Sequence, residues 1–143
     1  MNAIGQAGDA DRQEIEQLLR ENGLPLDGLE LALPLAVVAR GDAGIIGCAA
    51  VEPYGAVGLL RSVAVAPGSR GTGVGRQLVA AAERLAADRG IEDLYLLTET
   101  AEKWFPRLGY QPADRSSVPA SLTVSPEFTT ACPQTAVVLR RHL

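Results

Sequence analysis

The chain has 143 residues, a formal net charge of −4 and a single histidine, His142. An acidic balance (sequence pI about 5.0) with no basic run argues against a nucleic-acid partner, and no apolar run approaches the roughly 20 residues that span a bilayer, so no membrane partner is expected. One histidine beside the C-terminus leaves little for a Ser/His triad or a histidine metal site, so no metal is expected either.

One domain over residues 1–143 is expected, because this length supports one core. The first residues, MNAIGQAGDADRQEI, lack the charged-then-apolar build of a signal peptide, and Cys48 and Cys132 lie far apart. Reduced thiols and a cytoplasmic location are therefore expected.

In chain order, Asp9 or Asp11 caps a helix running to about Asn22, with Ile15, Leu18 and Leu19 on one face and Gly23 as its stop. A helical turn near Asp27–Leu33 precedes a strand at Leu35–Arg40. The tetrapeptide 41–44 reads as a hairpin turn into a strand at Ile45–Glu52, and Pro53-Tyr54-Gly55 turns into a third strand, Val57–Ala66. Helical spacing of Leu78, Val79, Ala82, Leu85 and Ala86 then predicts a helix over Gly75–Arg89. The strand Leu94–Thr98 follows and lies parallel to Val57–Ala66 by a crossover. A short helix at Ala101–Leu108, a strand at Tyr110–Ala113, a long irregular connection over 114–133 and a last strand at Thr135–Leu139 complete the order. The class is α+β, one mixed sheet with helices on its faces.

Between the third strand and its helix lies Arg70-Gly71-Thr72-Gly73-Val74-Gly75-Arg76. Glycine at this density, where a strand feeds a helix, suits close backbone approach to a phosphate. A P-loop needs Gly-Lys-Ser/Thr at its end, and Gly75-Arg76-Gln77 does not supply it. A dinucleotide fingerprint needs glycine at 76, which is Arg76, and a position opening a βαβ fold. What stands is a pyrophosphate on the helix N-terminus, held by backbone N–H groups of Gly71, Gly73, Val74, Gly75 and Arg76 with Arg70 and Arg76 adding charge, or a glycine-rich connection that only turns the chain.

Arg70-Gly71-Thr72-Gly73-Val74-Gly75 resembles the R/Q-x-x-G-x-G/A signature of the GNAT superfamily of acyl-CoA-dependent N-acetyltransferases. Leu60–Pro67 resembles that family's fourth strand, and Trp104-Phe105-Pro106-Arg107-Leu108-Gly109-Tyr110 its F-Y-x-x-L-G-F block. The resemblance implies a three-layer α/β arrangement: a mixed, mostly antiparallel central sheet with helices on both faces. It implies acetyl-CoA as cosubstrate, with the pyrophosphate over residues 70–76 (Thr72 included) and the pantetheine arm along backbone of Val63, Ala64 and Val65, with Thr98 and Phe105 beside it. A narrower resemblance joins Leu94–Glu102 and the tail Ser125-Pro126-Glu127-Phe128…Cys132-Pro133 to small N-acetyltransferases of arsenic-resistance operons. The expected partner is a small-molecule amine, amino-acid-like or arsenic-containing; a homodimer, common for such domains, stays open.

Acetyl transfer needs a neutral amine, an oriented thioester, a donor for the developing oxyanion and a route for protons. The family geometry implies the Val63 N–H as oxyanion donor. Glu52, ending an apolar strand, is the candidate base or else a strand-end charge, and Glu99 is the second choice. Phe105 occupies the position of the family's acid tyrosine, so the thiolate either leaves unprotonated or takes its proton from Ser62, Tyr110, Thr98 or water. Arg61, inside a strand, either clamps an acid group of the acceptor, with Glu99 nearby, or pairs with Glu52 or Glu99. The 114–133 connection could bring Arg115, Glu127, Phe128 or Thr130 to the acceptor. Cys132 reads as inert. The rival from another class is an acetyl-CoA-binding sensor with little turnover, which Phe105 favours.

Overall fold

The computed structural model describes residues 3–131 and 135–143. Seven strands form one sheet in the order β1-β2-β3-β4-β5-β7-β6. They are β1 (Ala3–Gln6), β2 (Ala36–Gly41), β3 (Gly44–Tyr54), β4 (Val57–Val65), β5 (Asp93–Thr98), β6 (Gln111–Pro112) and β7 (Val137–His142). The helices are α1 (Arg12–Glu21), the single turn α2 (Leu29–Ala32) and α3 (Val74–Asp88). All strand pairs are antiparallel except β4 with β5. The α+β class and the mostly antiparallel sheet stand as the residues imply.

Both faces of the sheet are covered. On one, Leu78, Val79, Ala82 and Ala86 of α3 meet Val37, Ala39, Ala49, Val51 and Leu60, with Phe105 and Tyr110 extending the layer over Leu94, Leu96 and Leu139. On the other, Ile15, Leu18 and Leu19 of α1 pack on Val38, Cys48 and Ala64. Adjacent residues such as Val37 and Val38 serve opposite layers because side chains alternate along a strand. Each fully buried leucine contributes roughly 1.5–3 kcal/mol through removal from water. No helix among the described residues is long and apolar enough to cross a membrane.

Several boundaries depart from the sequence-based expectation. β1 had no strand signal: four residues, mostly exposed, gain their conformation by pairing Ala3–Gln6 against Arg40–Val37. The first helix begins at Arg12 with Asp11 at its N-cap position, the second of the two places expected, after a 3-10 turn over Asp9–Asp11. The Asp11 carboxylate instead accepts the Gly8 N–H at 2.8 Å and a two-point contact from Arg40, and this guanidinium holds its carboxyl below the usual aspartate range. The expected helix Ala101–Leu108 shrinks to a 3-10 turn over Phe105–Leu108, since Pro106 supplies no N–H to an α-helical ladder. The penultimate strand is only Gln111–Pro112, and the last runs three residues further than expected, to His142.

β7 lies between β5 and β6 and pairs with both, so the segment after Pro112 joins neighbouring antiparallel strands by a long excursion rather than a tight turn. Its described part is a packed layer. Val118, Leu122 and Phe128 sit on Leu59, Tyr95 and Val138, filling the α1 side of the sheet beyond α1.

Candidate active site

Two irregularities in β4 create the site. Its parallel pairing with β5 covers only Val57↔Asp93, Gly58↔Leu94 and Leu59↔Tyr95, after which the strands diverge. On its other edge, Cys48 faces Ala64 while Ala50 faces Arg61, so β4 carries one extra residue opposite Ala49. Such a bulge interrupts the ladder and re-aims nearby groups. Ser62 takes the turn with φ +58°, the left-handed value that non-glycine residues rarely adopt. Buried Cys48 braces the bulge by donating its S–H to the Ser62 carbonyl at 3.2 Å.

The splay opens two adjoining cavities. One, about 440 Å³, is walled by Leu60–Val63 of β4, Leu96–Ala101 at the end of β5, Phe105, Glu127 and the Asn22–Pro25 loop. The second, about 620 Å³, lies between Val63–Val65, the loop Ser69–Gly73 and the start of α3, closed by Trp104, Arg107 and Leu108. Asn22, Val63 and Ala101 belong to both. Of the residues singled out in the sequence, Arg61–Val65, Arg70, Gly71, Gly73–Arg76, Thr98, Glu99 and Phe105 converge along one groove, and Thr72 and Glu52 do not line it.

Gly71 and Gly73 have φ of +77° and +87°, and a Cβ on either would meet nothing within 4 Å. Space therefore lies directly above backbone that only glycine adopts without strain. Gly73 caps α3, whose first N–H groups, from Val74 onward, have no helix carbonyl to bond. The fit to a pyrophosphate is good: exposed amides, a helix N-terminus, room, and Arg76 and Arg107 on the walls. Gly75 differs, because a Cβ there would stand 3.2 Å from the Trp104 ring. Its bareness lets that indole seal the groove.

Other side chains turn elsewhere. Arg70 binds the Val65 carbonyl at 3.2 Å and the Asn22 amide oxygen at 2.5 Å, fastening the loop to the end of α1 while it lines the second cavity. The Thr72 hydroxyl donates to Ser69 O. The Thr98 hydroxyl accepts the Ala101 N–H at 2.9 Å, turning the chain after β5. Phe105 lines the first cavity and packs edge-on against Trp104 and Tyr110. Tyr110, one of the alternative acids, is remote from the groove: its hydroxyl binds Glu83 of α3 at 2.9 Å, and burial pushes its phenol up.

Glu52 and Arg61 form a buried ion pair at 2.8 Å. Glu52 is 0% exposed and does not line either cavity. Its Oε1 accepts from the hydroxyls of Tyr54 (2.5 Å) and Ser125 (2.7 Å), and Oε2 from Arg61 Nη1. Burial, then the bond to Glu52, pushes the Tyr54 phenol up to about 12. Arg61 also donates to the carbonyls of Asp27 (2.6 Å) and Pro25 (3.2 Å) and to Ser62 Oγ (3.0 Å), and its Nε lies 3.3 Å from Glu127 Oε1. The expected acceptor clamp is thus committed to the protein itself, and the ion-pair alternative describes it. Glu99 is exposed at the cavity rim.

Glu127, Asn22 and Arg107 complete the walls. Glu127 was one of four residues that the long connection offered without a means to choose; no local signal marked Asn22 or Arg107. Thr130's side chain, Cys132 and Pro133 lie outside the described residues. Cys48 is inert, its thiol pushed up to about 12 by burial. In a Cys132→Ser chain, a native-state thiol titration at pH 8 should therefore read no reactive group until denaturant is added. Prompt native labelling would show the bulge to be open. Among the described residues, no His/Cys/Asp/Glu cluster could hold a metal.

Comparison with known proteins gives a consistent result. Residues 34–112 match the family model described as acetyltransferase (GNAT) domain. An amino-acid acetyltransferase of Ralstonia nicotianae is 37% identical over 84 residues, covering 57% of this chain and 19% of that protein. One from Pseudomonas paraeruginosa is 30% identical over 114 residues, covering 76% of this chain and 26% of that protein. The chain thus spans about a fifth to a quarter of the length of the curated relatives it matches. In structure, N-acetylglutamate synthase from Neisseria gonorrhoeae, complexed with coenzyme A and N-acetyl-glutamate, superposes with a TM-score of 0.84 at 26% identity, over 100% of this chain and 35% of that one. Mycobacterium tuberculosis Rv2747 shares the fold with a TM-score of 0.81 at 22% identity, over 99% of both chains. A bulged and splayed β4, a glycine cradle at the head of α3 and a family match across both place this chain in the GNAT acetyltransferase family.

Proposed function

We propose that the chain is an acetyl-CoA-dependent N-acetyltransferase acting on the amine of a small molecule. The observation that carries this reading is the continuous groove, running from the glycine cradle past the bulge into a cavity with buried charge. Acetyl-CoA supplies an activated thioester, and the chain's residues bind and orient it. Amides of Gly71, Gly73, Val74, Gly75 and Arg76 would take the pyrophosphate, with charge from Arg76 and Arg107. Val63, Ala64 and Val65 border the gap where β5 has turned away, where backbone not bonded to β3 or to Arg70 would pair with the amides of the pantetheine arm. The Val63 N–H, beside the bulge, is the proposed donor to the carbonyl oxygen as charge develops. Ser62 Oγ accepts the Arg61 Nε–H, so its own proton is available to the leaving sulfur. Thr98 and Phe105 shape the wall between thioester and acceptor.

For the acceptor we propose an amino acid or a close analogue, supported by the amino-acid acetyltransferases among the relatives. The tail resemblance to arsenic-operon enzymes supports the finer reading, an analogue whose second acid group is arsinate or phosphinate. With most of the Arg61 donors committed to the protein, backbone of the Asn22–Pro25 loop and Thr98–Ala101 would meet most of that group. A sensor remains the second reading because Phe105 offers no proton.

A thiol-release assay separates the two. Acetyl-CoA is offered with L-glutamate, an arsinate and a phosphinate amino acid, a polyamine and a lysine peptide. CoA release above hydrolysis with one acceptor is the expected result. Calorimetric binding of acetyl-CoA with silence across the panel would favour the sensor, and no binding at all would overturn both readings.

A further inference from the structure

The first cavity contains two carboxylates in its wall, and they differ in kind. Glu99 stands at the rim in solvent. Glu127 is 6% exposed and lines the cavity together with Ser62 and Val63, with its Oε1 3.3 Å from Arg61 Nε. Arg61 lies between two buried acids, Glu52 on the sealed side and Glu127 on the cavity side. Two carboxylates thus share one guanidinium, and an ammonium entering the cavity would meet this group from the Glu127 side.

The position of Glu127 is set from several directions. Ser125 Oγ donates to Glu52 and accepts the Glu127 N–H at 3.2 Å, tying the two acids through one hydroxyl. Pro126 packs on Gly28 so closely that a Cβ there would lie 2.7 Å from its ring. Leu122 and Phe128, both buried, hold the flanking chain on the sheet. Among the described residues, the charged and titratable groups near Glu127 include Arg61 and Glu52 with Tyr54 behind them, Glu99 on the same cavity, and Arg115, stacked 5.7 Å over the Phe128 ring.

We propose that Glu127 is the catalytic base of this site and that Arg61, fixed by Glu52, Pro25 and Asp27, is its positioning residue. The proposal rests on the acetyltransferase reading above. An acceptor enters as R–NH3⁺ and gives one proton to the Glu127 carboxylate. The amine lone pair then forms the C–N bond to the acetyl carbon as the C–S bond breaks with its electron pair on sulfur. A second proton leaves nitrogen and ends on that sulfur, giving the amide and the CoA thiol. Glu127 returns its proton to water, so the products are R–NH–acetyl, CoA–SH and one H⁺. Glu52 cannot take this role, because both its oxygens are occupied and none of it reaches the cavity.

The test uses the acceptor of the panel that the wild-type chain acetylates fastest, with acetyl-CoA saturating. Glu127→Gln should lower kcat/KM for the acceptor by about 100-fold or more near neutral pH, the usual contribution of a positioned base. The deficit should close as pH rises toward the acceptor amine's pKa, because free amine then no longer needs the carboxylate. Acetyl-CoA affinity should stay within about twofold, since nothing in the cradle changes. Glu127→Asp should restore the wild-type shape of the pH profile at a lower rate. A Glu127→Gln profile parallel to wild type at every pH would overturn the proposal. So would a loss shared with acetyl-CoA binding or with thermal stability and not relieved by aspartate. Failure of the wild-type chain to release CoA with any acceptor would instead strike the parent reading, and this proposal with it.

Discussion

Gly73→Asp is expected to weaken acetyl-CoA binding about 100-fold, a loss of about 2.7 kcal/mol. Gly73 caps α3 with φ +87°, and its missing Cβ leaves open space directly over the amides of the cradle. A carboxylate placed there meets a pyrophosphate of like charge and fills room the phosphate needs. Any L-residue also pays a conformational penalty of roughly 1–2 kcal/mol at such a dihedral. The isosteric Gly73→Asn carries that penalty and the same bulk without the charge, and asparagine tolerates the left-handed region better than most residues. It should therefore lose about tenfold or less. Titration calorimetry on both variants reads the difference. Equal loss would assign the effect to bulk and strain, and unchanged affinity in both would place the phosphate elsewhere.

Arg61→Ala should be the most destabilising single change at the site, costing about 3–5 kcal/mol. Removing the guanidinium strands Glu52 and Glu127 against each other and leaves the Pro25 and Asp27 carbonyls without their donor. The Asn22–Pro25 wall and the 125–127 segment hang on the same side chain from opposite sides of the cavity. Arg61→Ala/Glu52→Gln should recover about 1–2 kcal/mol of the loss, because an amide in place of the stranded carboxylate needs no counter-charge. Urea unfolding of the single and double variants measures this. A loss under about 1 kcal/mol for Arg61→Ala would mean that water already screens the pair.

These two residues mark how far the sequence could be read. Gly73 was legible because its requirement is local: the glycine spacing and the helix after it occur together in seven residues, and φ/ψ preference acts at each of them. The helix of Leu78–Ala86 and the hairpin at 41–44 were legible for the same reason, through period and turn chemistry, whereas the turn expected at 53–55 lies at 55–56 because Pro53 and Tyr54 pair with Gly58 and Val57. β1 was not, since four mostly exposed residues become a strand only by borrowing the edge of β2. The Ala101–Leu108 helix was over-read: its apolar spacing is real, but Pro106 withholds the donor that an α-turn requires.

Arg61 and Glu52 show the other limit. Both were picked out as charges within apolar strands, and a clamp, a base and a mutual ion pair were all compatible with that fact. Neither composition nor spacing measures the 2.8 Å between them or the hydroxyls that close around Glu52. Glu127 was less visible still, lying 66 positions from Arg61 in a segment with no periodic pattern. The amino-acid sequence alone pointed to the family, the α+β class and the glycine-rich turn at the head of α3, each written in short-range patterns. Which carboxylate is sealed and which faces the cavity was decided by packing of the 118–128 layer and the Pro25–Asp27 loop onto the bulged strand. Those contacts join segments far apart in the chain, and burial and charge pairing take their values only when the segments meet.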